Sequence, residues 1–399
     1  MKFFLVSPNE RSFLWGAGDR VPLGALYISS ALSANKIDNE VFDLNHYNLN
    51  ALLVKIKKEK PDYVGLSIIS SASFKQMKEL SEKVKELNQN TKIIVGGPHV
   101  SALPKSLEGL AYASIVGYGE RGILKVIDGE KGIVKEDIDV NEFPIPNRSK
   151  LDPTNYSMYI NNLRTASIVT SRGCPYNCAF CAKHDRKVRF RNPENIKEEV
   201  RELKKQGYNA VYILDENFVI KEYHFEEVTQ IMDKEGMKYK IEMRTNDVTE
   251  ERVKRLKQTG CIETALGIES GDNQILKNIK KRTTVEINRR AIEIFKNQEI
   301  PVKGFFIIGL PGETYETARK TIEFAEEMRN KGLTNADFYS LSPFPGSEIW
   351  KNPEKYNIKI LSKNFDNYLQ KGNPVIETEY LPIKKIEELL KEARTRWKK

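Results

Sequence analysis

The chain has 399 residues, of which 40% are hydrophobic and 30% charged, and a net charge of +9. These values suit a soluble globular protein of two or three domains and exclude a fibre or a disordered chain. No apolar run reaches membrane-spanning length, and the first residues lack the run and cleavage site of a signal peptide, so a cytoplasmic location is expected. Lys and Glu are interleaved, as in Lys197-Glu-Glu-Val-Arg-Glu-Leu-Lys-Lys. The positive balance therefore reads as a solvated surface, and nucleic acid is not an expected partner.

The first part of the chain alternates short apolar runs with helical spacing. Strands are predicted over 3–7, 39–43, 63–67, 92–96 and 113–116, and helices over 23–34, 49–58 and 74–87, with another beginning at 122. Such alternation builds a parallel, doubly wound (Rossmann-like) α/β sheet, with ligands at the carboxyl ends of its strands. Residues 139–148 are proline-punctuated and polar, and read as a linker. Strand–helix alternation then resumes, with strands over 165–171, 210–215, 239–244, 264–269, 302–308 and 337–341. Helices are predicted over 192–206, 223–235, 249–259, 285–298 and 315–331. Six strands and their helices predict a partial (β/α)6 TIM-type barrel, with chemistry at the carboxyl ends of the strands. From residue 350 the alternation is lost, and 383–397 reads as an amphipathic helix. The expected division is 1–137, a linker over 138–156, a barrel over 157–349 and a short helical extension over 350–399.

Three of the four cysteines, Cys174, Cys178 and Cys181, fall within eight residues, on the loop after the first barrel strand. Thiols this close read as metal ligands rather than a disulfide framework. No fourth Cys or His stands at zinc-finger spacing, although His184 is near enough to complete a zinc site. An iron–sulfur cube held by three cysteines instead leaves one iron open to a small molecule. Cys261 reads as a buried small hydrophobe. Polar residues collect at the other strand ends, including Asp215, Glu216, Asn217, Arg244, Glu269 and Ser270. Glu269 and Arg244 also admit a plain interstrand ion pair, and Asp215 a helix cap.

Two resemblances follow from these residues. Pro22-Leu-Gly-Ala-Leu-Tyr-Ile, Asp62-Tyr-Val-Gly-Leu-Ser, Gly96-Gly-Pro-His and Val116-Gly-Tyr-Gly-Glu resemble the cobalamin-binding domain found ahead of some radical S-adenosylmethionine (SAM) enzymes. That resemblance implies a slot for the nucleotide tail lined by Ser67, Ile69, Ser70, Ser71, Gly96, Gly97, Pro98 and His99. Leu23, Gly24, Gly117, Tyr118, Gly119 and Glu120 would flank the corrin. The Asp-x-His-x-x-Gly run that supplies a cobalt ligand in many cobalamin proteins is missing, and His99 reads as a loop residue. Cys174-x-x-x-Cys178-x-Phe180-Cys181 resembles the radical SAM cluster motif. It implies that the three cysteines hold a [4Fe–4S] cluster whose fourth iron is chelated by SAM. Phe180, Ile308 and Gly309 would then contact adenine, and Asp215, Glu216 and Asn217 would stand where the family binds the SAM amino group. Arg244, Glu269 and Ser270 would hold carboxylate and ribose. Asp-Glu-Asn departs from the common Gly-Gly-Glu, which leaves the individual roles at that strand end open.

Together the resemblances imply a cobalamin-dependent radical SAM methyltransferase. A 5′-deoxyadenosyl radical would take hydrogen from an unactivated sp3 carbon, and methylcobalamin would deliver the methyl group. A flavodoxin- or ferredoxin-type protein would supply the electron. Alternatives are a radical SAM cyclase or rearrangement enzyme with structural or electron-transfer cobalamin, and a non-enzymatic cobalamin-binding sensor. Methylthiolation of tRNA needs a second cysteine-ligated cluster, for which Cys261 alone is insufficient. The sequence does not name the substrate; a protein or peptide side chain is among those that fit.

Overall fold

A computed structural model describes residues 1–11, 18–142, 144–183, 185–369 and 372–398. They form two compact units. One comprises Met1–Met158, Ala182–Asp185 and Asn364–Leu369; the other comprises Tyr159–Cys181, Arg186–Lys363 and Gln370–Lys399. No helix among the described residues is long and apolar enough to cross a membrane.

The first unit is a six-stranded, all-parallel sheet. Its spatial order is Asp38–Asp43, Lys2–Ser7, Tyr63–Ser67, Lys92–Gly96, Ala113–Gly117 and Gly132–Glu136. The order reverses between Lys2–Ser7 and Tyr63–Ser67, which opens a crevice at their carboxyl ends. Side-chain alternation fills both faces. Phe4, Val6, Val64, Leu66, Ile93 and Val95 pack with Leu52, Ile56, Met77 and Leu80 on one side. Phe3, Leu5, Tyr63, Ile94 and Ile115 pack with Leu26, Leu32, Ile123 and Val126 on the other. Two elements go beyond the sequence expectation, the short helix Pro98–Ala102 and the edge strand Gly132–Glu136. In that strand only Val134 is buried, so it carries little of the apolar signal that marks the inner strands.

The second unit contains six parallel strands in sequential order. They are Leu163–Ile168, Ala210–Ile213, Lys238–Arg244, Cys261–Glu269, Val302–Ile308 and Leu333–Ser340. Tyr159–Ile160 adds an antiparallel edge. The first barrel strand stops at Ile168 rather than 171. The Asp215 carboxylate accepts hydrogen bonds from Thr170 N (2.7 Å), Thr170 Oγ1 and Ser171 Oγ (2.6 Å each), which draws the chain out of the ladder. Ser171–Arg172 then pairs antiparallel with Arg189–Phe190. The extension is not purely helical. Ile358–Ile360 and Ile376–Thr378 form an antiparallel pair ahead of the helix Ile383–Lys398.

Candidate functional site

The cysteine loop is anchored at its entry, middle and exit. At the entry, Gly173 has φ +91°, and a Cβ there would meet the Lys187 carbonyl. In the middle, Ala179 N donates to Ile279 O (2.9 Å) and Ala179 O accepts from Ile349 N (3.1 Å). Cys181 N closes a turn onto Cys178 O (3.2 Å). Cys174 is buried, Cys178 and Cys181 are half-buried, and among the described residues none of the three is in a disulfide. Among the described residues, no three His, Cys, Asp or Glu side chains converge as ligands of one ion; His184 lies outside those residues. A four-iron cube makes a different demand, because each thiolate takes its own corner iron. Three cysteine thiols on one anchored loop are a donor set of that kind. Cys261 begins the fourth barrel strand, and burial pushes its thiol up to about 12.

Beside this loop lies a cluster from neighbouring strand ends. Lys281 Nζ is 2.6 Å from Glu269 Oε1, and its ammonium stands 5.9 Å from the Phe180 ring centre. Arg244 Nη2 donates to the Lys281 carbonyl (2.5 Å), and its guanidinium stacks 3.6 Å from the centre of the Tyr176 ring. The interstrand Glu269–Arg244 pair admitted by the sequence is therefore replaced by Glu269–Lys281. Glu269 has φ +67°, a conformation uncommon outside glycine. A Cβ on Gly267 would lie 2.5 Å from Lys281 Nζ and 2.6 Å from Glu269 Oε1, so glycine there makes room for the pair. Ser270 Oγ contacts Thr321 Oγ1 (3.1 Å) and accepts from Asp272 N (3.2 Å). Gly309 N and Leu310 N, just after Ile308, donate to Glu313 Oε2 (2.6 and 3.3 Å). Burial raises the Glu313 carboxyl to about 8.

The Asp-Glu-Asn strand end divides into different roles. Asp215 is buried, and its carboxylate faces Thr170 and Ser171; burial raises its pKa despite those hydrogen bonds. Asn217 is buried, accepting from Arg244 N (3.1 Å) and donating to Asp247 Oδ2 (2.9 Å). Glu216 alone of the three is exposed. Phe180 and Glu269 line a cavity of about 360 Å3 inside the barrel, which also reaches Glu242, Phe305, Ile307 and Tyr339. Sequence reasoning missed Lys281, Tyr176, Glu313 and the barrel interior. Lys281 sits in a Lys-Lys-Arg run that looks like solvated surface.

In the first unit, the predicted tail-slot loops lie at adjacent strand ends. Ser67 and Gly96 are register partners, and Ile68 N donates to Gly96 O (2.8 Å). Gly97 has φ +103°, and a Cβ there would come 2.7 Å from Ile68 O. His99 is buried, its Nδ1 is 2.9 Å from Ser71 Oγ, and its ring packs against Phe74 and Phe365. Burial lowers His99 to about 4, so it is neutral near pH 7. Ile69 and Ser70 are half-buried and Pro98 is exposed. Leu23 and Gly24 open the helix Leu23–Ala34, and Gly24 has open space where a side chain would be. Gly117 N donates to Ser101 Oγ (2.9 Å), Tyr118 Oη to Asp185 Oδ2 (3.1 Å), and Gly119 and the buried Glu120 begin the next helix.

Comparison with known proteins agrees with this two-part organisation. The Radical SAM superfamily profile matches residues 168–325, and the B12 binding domain profile matches residues 16–127. An uncharacterized methyltransferase of Pyrococcus horikoshii is 27% identical, covering 98% of this chain and 91% of its own length. The anaerobic magnesium-protoporphyrin IX monomethyl ester cyclase of Rubrivivax gelatinosus is 28% identical, covering 92% of this chain and 72% of its own. Among solved structures, the radical S-adenosylmethionine methyltransferase TsrM from Kitasatospora setae, with cobalamin and a [4Fe–4S] cluster bound, superposes with a TM-score of 0.75 at 15% identity. The superposition covers 99% of this chain and 88% of that one. The chain thus carries a B12-binding domain followed by a radical SAM domain.

Proposed function

We propose that this chain is a cobalamin-dependent radical SAM methyltransferase acting on an unactivated sp3 carbon. The cofactors of its two domains are a [4Fe–4S] cluster with SAM and cobalamin, which together supply hydrogen abstraction and methyl transfer. The observation that carries the reading is the anchored loop with three cysteines, joined in one chain to a B12-binding domain.

In this reading Cys174, Cys178 and Cys181 hold the cluster. Ala179, fixed by Ile279 and Ile349, keeps the last two thiols in place. Phe180 offers a ring face to adenine. The Glu269–Lys281 pair and Arg244 present a carboxylate, an ammonium and a guanidinium to the zwitterionic and ribose parts of SAM. Ser270, Ile308 and Gly309 complete that side, and the exposed Glu216 is the one member of Asp-Glu-Asn facing solvent. In the first unit, Ser67, Ile69, Ser70, Ser71, Gly96, Gly97, Pro98 and His99 line the nucleotide-tail slot. Leu23, Gly24 and 117–120 border the corrin. His99 serves as a neutral wall of that slot. A flavodoxin- or ferredoxin-type reductant supplies the electron, as radical SAM chemistry requires.

The test is anaerobic reconstitution with iron, sulfide and hydroxocobalamin, followed by SAM and a strong one-electron reductant. About four irons per chain with near-stoichiometric cobalt and production of 5′-deoxyadenosine support the reading. Cys178→Ala is expected to lose iron and SAM cleavage together; cleavage retained without the thiol overturns it. Similarity to the cyclase favours ring formation as a second reading. Product mass decides: methylation adds a methyl group, whereas cyclisation does not.

A further inference from the structure

The barrel interior is polar, and several of its charges are matched among the described residues. Alternation along the strands turns Lys240 and Glu242, Lys303 and Phe305, and Asp337 and Tyr339 inward, while the residues between them are mostly buried on the helix side. At the floor, Lys240 pairs with Glu263 (2.5 Å) and Lys303 with Asp337 (2.6 Å). Tyr339 Oη donates to that same Asp337 (3.0 Å). At the rim, Lys281 neutralises Glu269.

Glu242 stands between these layers. It is opposite Ala265 in the ladder and one inward position below Arg244. The Tyr212 hydroxyl donates to Glu242 Oε1, and among the described residues no Lys, Arg or His pairs with its carboxylate. It borders the cavity of about 360 Å3 that Phe180 and Glu269 also line, whose other walls include Phe305, Ile307, Tyr339 and Phe344. That volume suits a small ligand or a single side chain. The half-buried carboxylate has a hydroxyl partner in Tyr212 and faces a cavity that a cationic occupant could enter to supply its counter-charge.

Taking the function proposed above as its basis, we propose that the barrel interior selects a substrate bearing an ammonium or guanidinium group, which Glu242 receives as counter-ion. Tyr212 holds the carboxylate in place, and Phe305 and Tyr339 offer ring surface to the cation and its apolar stem. Glu242 stands one inward position below Arg244 and shares its cavity with Phe180 and Glu269, which the functional reading assigns to SAM, so a substrate cation held there lies beside SAM. This glutamate is a specificity residue and takes no part in the radical step.

The test is calorimetric binding to the reconstituted, SAM-loaded holoenzyme without reductant. Benzylamine is compared with benzyl alcohol, and Nα-acetyl-lysine methylamide with its norleucine counterpart, which separates a small amine from a peptide side chain. At least one cation is expected to bind about tenfold tighter than its neutral partner, the scale of one hydrogen bond to a charged group. The preference should vanish in Glu242→Gln and persist, weakened, in Glu242→Asp, with SAM affinity unchanged in both. Equal affinity within each pair, a preference that survives Glu242→Gln, or no cation binding to SAM-loaded enzyme overturns the inference. The comparison in the unaltered enzyme stands even if a variant fails to fold. If the reduced enzyme of the preceding test cleaves SAM while calorimetry finds no cation preference, this inference alone fails, whereas cation binding by an enzyme that does not cleave SAM when reduced defeats the functional reading.

Discussion

Lys281 Nζ lies 2.6 Å from Glu269 Oε1, with both side chains 7% exposed. The pair depends on a third residue, since a side chain on Gly267 would occupy the space of both charged groups. Removing one member of a buried pair leaves the other charge uncompensated. Lys281→Met is therefore expected to destabilise the barrel unit by about 3–5 kcal/mol. Denaturant unfolding of the purified protein measures this. Gly267→Ala should act in the same direction by displacing the Lys281 ammonium; a neutral result for both variants would show that the pair is dispensable.

Asp215 makes a second, separable prediction. Its carboxylate organises Thr170 and Ser171 immediately ahead of the cysteine loop. Asp215→Ala leaves Thr170 N and Ser171 Oγ without this acceptor in a buried site, each costing about 1–3 kcal/mol, while the Thr170 hydroxyl keeps His224 Nε2 within 3.0 Å. The expected result is less iron bound after reconstitution, with cobalt content unchanged. A normal iron content with weaker SAM binding would instead assign Asp215 to the SAM amino group, as the family resemblance implies.

The fold was legible in the sequence where apolar spacing was regular. Leu23–Ala34, Tyr63–Ser67, Phe74–Leu87 and Lys92–Gly96 have the predicted limits, because apolar periodicity there matches the packing. The edge strand Gly132–Glu136 and the short helix Pro98–Ala102 lacked that pattern. At the candidate site, the cysteines stood out through spacing alone. Lys281 did not, because a lysine that turns inward has the same local sequence signal as one in water; only the neighbouring Glu269 and Gly267 distinguish it. Asp215 was visible as a strand-end acid, but its hydrogen-bond partners lie 44 and 45 residues away in the chain.

Glu313 yields a prediction about pH. Its Oε2 accepts from Gly309 N and Leu310 N, and its Oε1 is buried without a hydrogen-bond partner. Burial raises the carboxyl from 4.5 to about 8. Between these values the unfolded chain has lost the proton that the folded chain retains. Stability therefore falls as pH rises through this window, by at most about 1.4 kcal/mol per pH unit from this group, and levels off above the folded value. Glu313→Gln removes the titration while keeping a carbonyl acceptor. Its stability relative to the unaltered protein should rise from pH 5 to pH 8 in parallel denaturant titrations; a difference independent of pH would mean that Glu313 is ionised throughout.

Gly97 tests the first unit independently of the second. Its φ of +103° is unfavourable for any side chain, and a Cβ would lie 2.7 Å from Ile68 O and 3.0 Å from the Ile68 carbonyl carbon. These are backbone atoms, so relief requires the loops after two adjacent strands to separate. That movement would strain the Ile68 N to Gly96 O hydrogen bond (2.8 Å) and the seat of His99 against Ser71. Gly97→Ala is expected to cost about 1–3 kcal/mol from the backbone conformation alone, with the close approach adding to it. Reconstituted protein should lose most of its cobalt while retaining iron and cysteine-dependent SAM binding. Gly129→Ala is the control, because Gly129 also has positive φ, at +108°, but meets nothing within 4 Å; it should pay the conformational cost and keep its cobalt. Equal cobalt loss in both variants would trace the effect to general instability of the unit, whereas loss confined to Gly97→Ala would tie it to the loop that the tail-slot assignment requires.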